Sequence, residues 1–370
     1  MSEFKSSNFK NEDGSNGPDL VGVTTFTSPH YFVPPSGTTA QRPSGDGLAP
    51  GMLRFNTDIG RLEVWRGDHW ATILGESPSL NGGARGVFGG GATPTPAFAR
   101  LYNLDYVTIS TTGNALDFGD LIAEPYRITA LSSDTRGIFG GSYAGTMSYI
   151  TFSTTGNAKI FGDLSVGHNS TDALASKTRG MFISGYDPSL SPVSHHNTIE
   201  YITIASTGNG QDFGDLRSPR RGVRASSSST RGVIGGGYDY DVSTRVNTID
   251  YVTISSTGNS QYFGDLTNTK EEGGRASNSI RSIWANGSDS GNIIEYVTIS
   301  TLGNAQDFGD LFSVNAATGF SSSTRALFTA SNNNTIQYIT IMTTGNSTDF
   351  GDMTNTKFQY SGCSNGHGGL

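Results

Sequence analysis

The side chains that could do chemistry in this chain fall into a few sets. Six aspartates end an identical tripeptide, Phe-Gly-Asp, at Asp120, Asp163, Asp215, Asp265, Asp310 and Asp352. An arginine stands sixteen residues after each of the first four, at Arg136, Arg179, Arg231 and Arg281, and one residue closer after the fifth, at Arg325. Two histidines are adjacent, His195-His196, and the single cysteine, Cys363, lies close to His367. Two carboxylates about 5–9 Å apart could cleave a glycosidic bond. Nearly every acid here, however, belongs to the repeat or to an exposed loop, and none is a singular insertion. A Tyr-Cys-His set could hold a copper radical, but the positions equivalent to Cys363 are Ser or Ala, so it reads as a small buried thiol. His195-His196 has no flanking Cys, Asp or third His to complete a metal set. Phosphate-cradle, nucleophile-elbow and zinc-hydrolase signatures are missing. The expectation is a protein that is not an enzyme and holds no metal and no cofactor. The arginines could gather an anion at a channel mouth. Repetition normally encodes structure, so they read as donors to backbone or carboxylate groups between repeats. By the same reasoning each repeated aspartate is expected to accept N–H groups of the following turn, with its phenylalanine buried.

What positions these groups is the repeat itself. A tyrosine precedes each aspartate by fourteen residues, at Tyr106, Tyr149, Tyr201, Tyr251, Tyr296 and Tyr338. The fourth copy reads as four strands. Val223 to Ser228 is a small-residue strand, Gly232 to Gly236 a second, Asn247 to Ser255 a period-two third, and Ser260 to Asp265 a fourth. Thr257-Gly258-Asn259 makes the tight turn between the last two, since Gly and Asn accept positive φ cheaply. Helical periodicity is absent. About 48 residues per repeat is the size of one propeller blade. The first copy opens in its second strand, at Arg85-Gly86-Val87-Phe88-Gly89-Gly90, and the sequence given ends in a lone first strand, Phe358 to Ser364. The reading is all-β: residues 81–370 form a six-bladed β-propeller closed by a C-terminal strand. A diglycine after the second strand and an acidic-aromatic pair such as Glu200-Tyr201 or Asp250-Tyr251 make the repeat resemble the kelch motif. Repeats three, five and six depart from it at the diglycine, and Phe replaces the usual Trp of the last strand.

Length variation is confined to one connection. From arginine to tyrosine the separations are 21, 13, 22, 20, 15 and 13 residues. Strand alternation puts these two-to-three loops on the same face as the links between blades, and insertions clustered on one face mark a binding surface. The candidate binding residues are Phe98, Tyr102, Tyr143, Tyr186, Asp187, His195, His196, Tyr238, Asp239 and Tyr240. Tyr with Asp and Asn suits saccharide or protein contacts, while the plainer reading has the rings pinning long loops to the rim.

Composition narrows the partners. Net charge is −8, which argues against nucleic acid or an anionic membrane. One cysteine allows no intramolecular disulfide, and no stretch approaches membrane-spanning length, so no membrane insertion is expected. Residues 1–50 read as an extended, Pro-rich anchoring arm and 51–80 as a small three-stranded β-module, with Tyr31, Phe32, Pro34, Phe55, Trp65 and Trp70 as candidate anchoring residues. The run Arg54-Phe55-Asn56-Thr57-Asp58, then Leu62-Glu63-Val64-Trp65 and Gly67 before Trp70, follows Pro34-Pro35-Ser36-Gly37-Thr38-Thr39-Ala40-Gln41-Arg42-Pro43. It resembles a short module of structural and tail-fibre proteins of tailed bacteriophages, especially those infecting marine cyanobacteria. That resemblance implies a virion component, made in the host cytoplasm. Residues 1–80 would bind other virion structural proteins, and the propeller would project to meet a host-surface glycan or protein. It also brings in a homotrimer, since such fibre modules are often trimeric. The alternatives carried beside this reading are a capsid or neck decoration protein and a glycan-active enzyme on the particle.

Overall fold

The computed structural model describes residues 34–370 apart from 46, 74–83, 95–97, 124–125, 143, 168, 170, 188–193, 288–290 and 314–315. The chain separates into two units, Met1–Ser77 and Pro78–Leu370. In the first unit the strands Leu53–Asn56, Arg61–Trp65 and Trp70–Thr72 form the expected antiparallel meander, and Ser36–Gly37 adds a parallel strand to its edge. Strand alternation puts Leu53, Phe55, Leu62 and Val64 on one side and Arg54, Asn56 and Glu63 on the other. The polar side is the buried one. Glu63 is fully buried and accepts from Arg54 Nη1 and Asn56 Nδ2, each at 3.0 Å, and from Arg42. The hydrogen bond from Arg42 leads the effects that hold the Glu63 carboxyl down to about 2, against the opposing pull of burial. The Trp70 indole N–H reaches the Pro43 carbonyl at 3.0 Å. The stretch from Pro34 to Pro43 is therefore part of this small fold rather than of an extended arm that ends at residue 50.

The second unit is all-β. Among the described residues it contains six four-stranded antiparallel sheets and one small three-stranded one. In the fourth sheet the strands are Arg224–Ser227, Arg231–Gly235, Thr248–Thr253 and Gln261–Asp265, within a residue or two of the sequence reading. The first sheet takes its first strand from the far end of the sequence: Ser361–Ser364 pairs antiparallel with Arg85–Gly89. The six first strands are Ser361–Ser364, Thr129–Ser132, Asp172–Ala175, Arg224–Ser227, Gly274–Ser277 and Ala316–Ser321. Each lies against the next in that order, and Ala316–Ser321 lies against Ser361–Ser364.

The invariant spacing has a physical cause at the junctions between sheets. The Gly-Asn turn of each sheet, preceded by Thr in all but the fifth, where Leu302 stands, docks on the Phe-Gly-Asp strand of the sheet before it. Gly156 N–H donates to the Phe118 carbonyl at 2.7 Å, and Asn157 Oδ1 accepts the Asp120 N–H at 3.0 Å. The same two bonds recur at every junction, including Gly113 and Asn114 of the first sheet on Phe350 and Asp352 of the sixth. The approach leaves no room for a side chain. At Gly119, whose φ is 142°, a Cβ would stand 2.5 Å from the Gly156 carbonyl oxygen. The phenylalanines are buried as expected. The aspartates differ from expectation, because the turn is held by their backbone. The carboxylates of Asp163 and Asp265 instead accept the hydroxyls of Thr146 and Tyr262.

The arginines also work between sheets. Arg136 Nη1 donates to the Ala205 carbonyl of the next sheet at 2.8 Å, and Arg325 Nη1 to the Ser110 carbonyl at 2.9 Å. Arg85, Arg179, Arg231 and Arg281 make the corresponding bonds. Each guanidinium lies 4.2–5.0 Å from the ring centroid of its own sheet's repeated tyrosine. That ring in turn meets the Phe-Gly-Asp phenylalanine edge-on at 5.9–6.2 Å. Arginine, tyrosine and phenylalanine are thus one stacked column, and the constant Tyr-to-Asp spacing keeps it aligned.

Where the six first strands converge, a single ion pair spans the space between them. Arg275 donates Nε to Asp172 at 2.8 Å, Nη1 to the Gly319 carbonyl and Nη2 to the Ala130 carbonyl, both at 2.8 Å. Asp172 also accepts the Thr129 hydroxyl and the Ala225 N–H. The positions equivalent to Arg275 are Ala130, Ala173, Ala225, Gly319 and Gly362, small enough to leave its side chain the room. Two residues further along, hydroxyls link the strands: Ser132 to the Ser364 carbonyl, Ser364 to Ser321, Ser321 to Ser277, Ser277 to Ser227, and Ser227 to Ala175. Ala175 has no hydroxyl to continue the series. His367 takes its place, with Nε2 at 2.7 Å from the Ser132 carbonyl and Nδ1 accepting the Gly369 N–H. A cavity of about 40 Å³ remains beside Arg275 and the serines, room for a few waters.

Removing Arg275 alone strands a buried carboxylate, so Arg275→Met should lower unfolding stability by about 3–5 kcal/mol in denaturant titration. The double variant with Asp172→Leu should cost less than the two single changes together. Burial holds His367 down to about 4, below the 6.5 of the unfolded residue. Its contribution is fully present above pH 6.5 and declines as pH falls towards about 4, because the unfolded chain takes up the proton first. Denaturant midpoints should fall across that window, and His367→Gln should flatten the fall.

Candidate binding face

The longest two-to-three connections build the face of interest. In the third sheet the strands Arg179–Asp187 and Ser194–Thr203 run on past the body of the sheet, pairing Tyr186 with His195 and Asp187 with Ser194. These residues are therefore an extended hairpin and not an irregular loop. His195 and His196 are neighbours in one strand and so point to opposite sides, which prevents them from meeting at one metal ion. Among the described residues no group of three or more His, Cys, Asp or Glu is placed to hold a metal ion. Cys363 is buried, and burial pushes its thiol up to about 12, far from a thiolate.

The fourth sheet contributes the small three-stranded sheet, Arg220–Arg221, Tyr238–Asp239 and Thr244–Arg245. Its register sets Arg221, Tyr238 and Arg245 side by side on one surface and Arg220, Asp239 and Thr244 on the other. The second surface faces inward. Arg220 pairs with buried Asp250, and Asp239 accepts the Ser218 hydroxyl at 2.6 Å and the Asp241 N–H at 2.9 Å. Asp239, expected on the binding face, is instead 8% exposed and holds a turn.

On the outward surface Arg221 is the hub. Its Cζ lies 4.8 Å from the Tyr238 ring and 5.8 Å from both Tyr186 and Tyr240. Nε donates to Glu271 at 2.7 Å, and Arg245 Nε donates to the other oxygen of the same carboxylate at 3.3 Å. Tyr240 stacks on His195 with centroids 3.4 Å apart and meets Tyr238 edge-on at 5.4 Å. Burial raises the Tyr240 phenol, against the pull of Arg221. Burial and then the Arg221 charge lower His195, so its ring stacks uncharged near neutral pH. Burial works against the Arg221 charge, but the Glu271 hydrogen bond holds it above the ordinary arginine range. Arg127 Nη1 donates to the Tyr186 hydroxyl at 2.7 Å.

A second aromatic group joins Phe98, Tyr126 and Phe358, all edge-on with centroids 5.5–6.2 Å apart. Tyr102 is 43% exposed and belongs to neither group. Tyr143, and Tyr31 and Phe32 of the anchoring set, lie outside the described residues. Phe55 is half-buried, and Trp65 and Trp70 meet each other at 5.6 Å, so these candidates are partly engaged within their own unit. Sequence reasoning missed Arg127, Arg221, Arg245 and Glu271. A signal existed for one of them: Arg217, Arg220, Arg221 and Arg224 crowd a single link.

No protein-family model and no curated protein matches this sequence. Among solved structures the chain is similar to one titled "Structure of YjhT", with a TM-score of 0.47 and 8% identity over 55% of this chain and 72% of that one.

Arg221→Ala should remove about 1–2 kcal/mol of stability, since Glu271 loses its closer partner. It should also speed proteolysis at the exposed Asp241–Thr244 tip. Arg221→Lys should recover little, because a lone ammonium cannot replace a planar guanidinium among three rings.

Proposed function

We propose that Pro78–Leu370 is a six-bladed β-propeller closed by its C-terminal strand, acting as the binding part of a tail or tail-fibre protein of a tailed bacteriophage. The cyclic contacts of the six first strands support the propeller reading. So does the return of the junction bonds from the sixth sheet to the first. The observation that carries the binding role is the cluster around Arg221, where rings from two long connections and a shared carboxylate gather on one face. Such a mixture of rigid amphipathic rings and directional donors suits recognition of a host-surface molecule. In this reading the protein acts by binding and not by catalysis, which the engagement of Glu271 by two arginines and of Asp239 by a turn supports. Residues 1–77 carry the attachment to other virion proteins, a role supported by the sequence resemblance of Pro34–Trp70.

Gold-labelled antibody against this chain, applied to intact particles, should decorate the tail. Labelling confined to the capsid would favour a decoration protein, and no labelling would overturn the reading. A chain lacking residues 1–50 should fail to enter the particle.

A further inference from the structure

We propose that the face binds a neutral oligosaccharide along one continuous track of aromatic rings and guanidinium groups. This rests on the host-surface reading above and names the class of ligand. The track begins at Phe98, half exposed and edge-on to Tyr126. Arg127 lies 5.5 Å from the Tyr126 ring and hydrogen-bonds Tyr186. Tyr186 meets Arg221, which meets Tyr238 and Tyr240, and His195 closes the series. The members come from the first to the fourth sheets, so the track is extended and not a pocket. A pyranose offers an apolar C–H face to a ring and a rim of hydroxyls to guanidinium and phenol groups. Rings alternating with donors match a chain of such sugars better than a single one.

Two further observations bear on the ligand. Arg221 and Arg245 share the Glu271 carboxylate, and Gln359 binds Glu272. Arg127, Arg221 and Arg245 are offset by Glu271, Glu272 and Asp187 of the same connections, so an anionic sugar has no excess of positive charge to meet here. The second is backbone strain. Arg127, Glu272 and Gln359 have φ of 57°, 65° and 53°, each two residues before a first strand, and Gly222 fills the equivalent place in the fourth sheet at 64°. Glycine adopts that conformation without penalty, so three long polar side chains are kept where they strain the backbone. They are joined by Arg127 N–H to the Gln359 carbonyl and by Gln359 Nε2 to Glu272. They form the polar border of the track.

The test is binding of the full chain to an array of neutral hexose and hexosamine oligosaccharides, their monosaccharides, and matched acidic glycans. Neutral oligosaccharides should bind, with monosaccharides at least about tenfold weaker and little change on raising salt. Tyr238→Ala and Arg127→Gly should each weaken binding by about tenfold or more. Arg127→Gly relieves strain and so should leave the melting temperature unchanged or higher, which separates lost binding from lost folding. Binding confined to acidic glycans with steep salt dependence would overturn the proposal. So would unaltered binding by both variants, or capture of a host protein with no glycan bound. If the chain is found on the particle but binds no glycan, this inference fails and the virion reading stands. If it binds glycan but is absent from particles, the reverse holds.

Discussion

One guanidinium, that of Arg275, reaches all five of the other sheets directly or through Asp172, the first of them by Nη1 to the Gly362 carbonyl at 3.5 Å. It bonds Asp172 in the third sheet, the Gly319 carbonyl in the sixth and the Ala130 carbonyl in the second, while Asp172 accepts the Ala225 N–H of the fourth. A charge so deeply placed is tolerated only when its donors are met, and here carbonyls of neighbouring strands meet them. The pair fixes how far apart the first strands can sit. The serine hydroxyls then repeat that spacing one tier along, and His367 supplies the bond that Ala175 cannot.

The outer junctions follow a different logic. There the repeated residues are in contact with their counterparts in the next sheet: glycine against glycine carbonyl, asparagine on backbone N–H, arginine on a turn carbonyl. Because each contact is local to one junction, it can be written six times in the sequence. The inner contact is made once, by residues that break the repeat. A single carboxylate and a single arginine serve positions otherwise held by small or hydroxyl-bearing residues, apart from Arg224 at the place of Asp172 in the fourth sheet.

This difference explains how much could be read from the sequence. The strands, their order and the pairing of Ser361–Ser364 with Arg85–Gly89 follow from constant spacing, as does the structural use of the arginine set. Arg275 and Asp172 were missed because a search for repeats passes over residues that occur once. The binding face was legible as a place but not as an arrangement. Tyr186, His195, Tyr238 and Tyr240 were visible as loop aromatics, whereas the contact with Arg221 depends on the register of a three-stranded sheet whose strands are two residues long. Asp239 was misplaced for the same reason: a one-residue step in a strand reverses which side a group faces. In the first unit the sequence reads as a small three-stranded module with apolar and polar residues alternating on its strands. Yet the buried side is the charged one, because Arg42 and the chain around it fold back over Glu63.

The pairing of Ser361–Ser364 with Arg85–Gly89 also governs how the molecule is assembled. Arg85 and Asn365, which hydrogen-bond beside that pairing, are 280 residues apart in the chain. Contacts of such separation form late, since most of the chain must be ordered before the loop between them is worth closing. Until then Arg85–Gly89 presents an unpaired edge in a small-residue strand, and the segment 361–364 of a second chain fits it as well as its own does. Exchange of that strand between two chains would reuse the same pairing, would be favoured by high protein concentration during folding, and would give an interlocked oligomer built from native contacts.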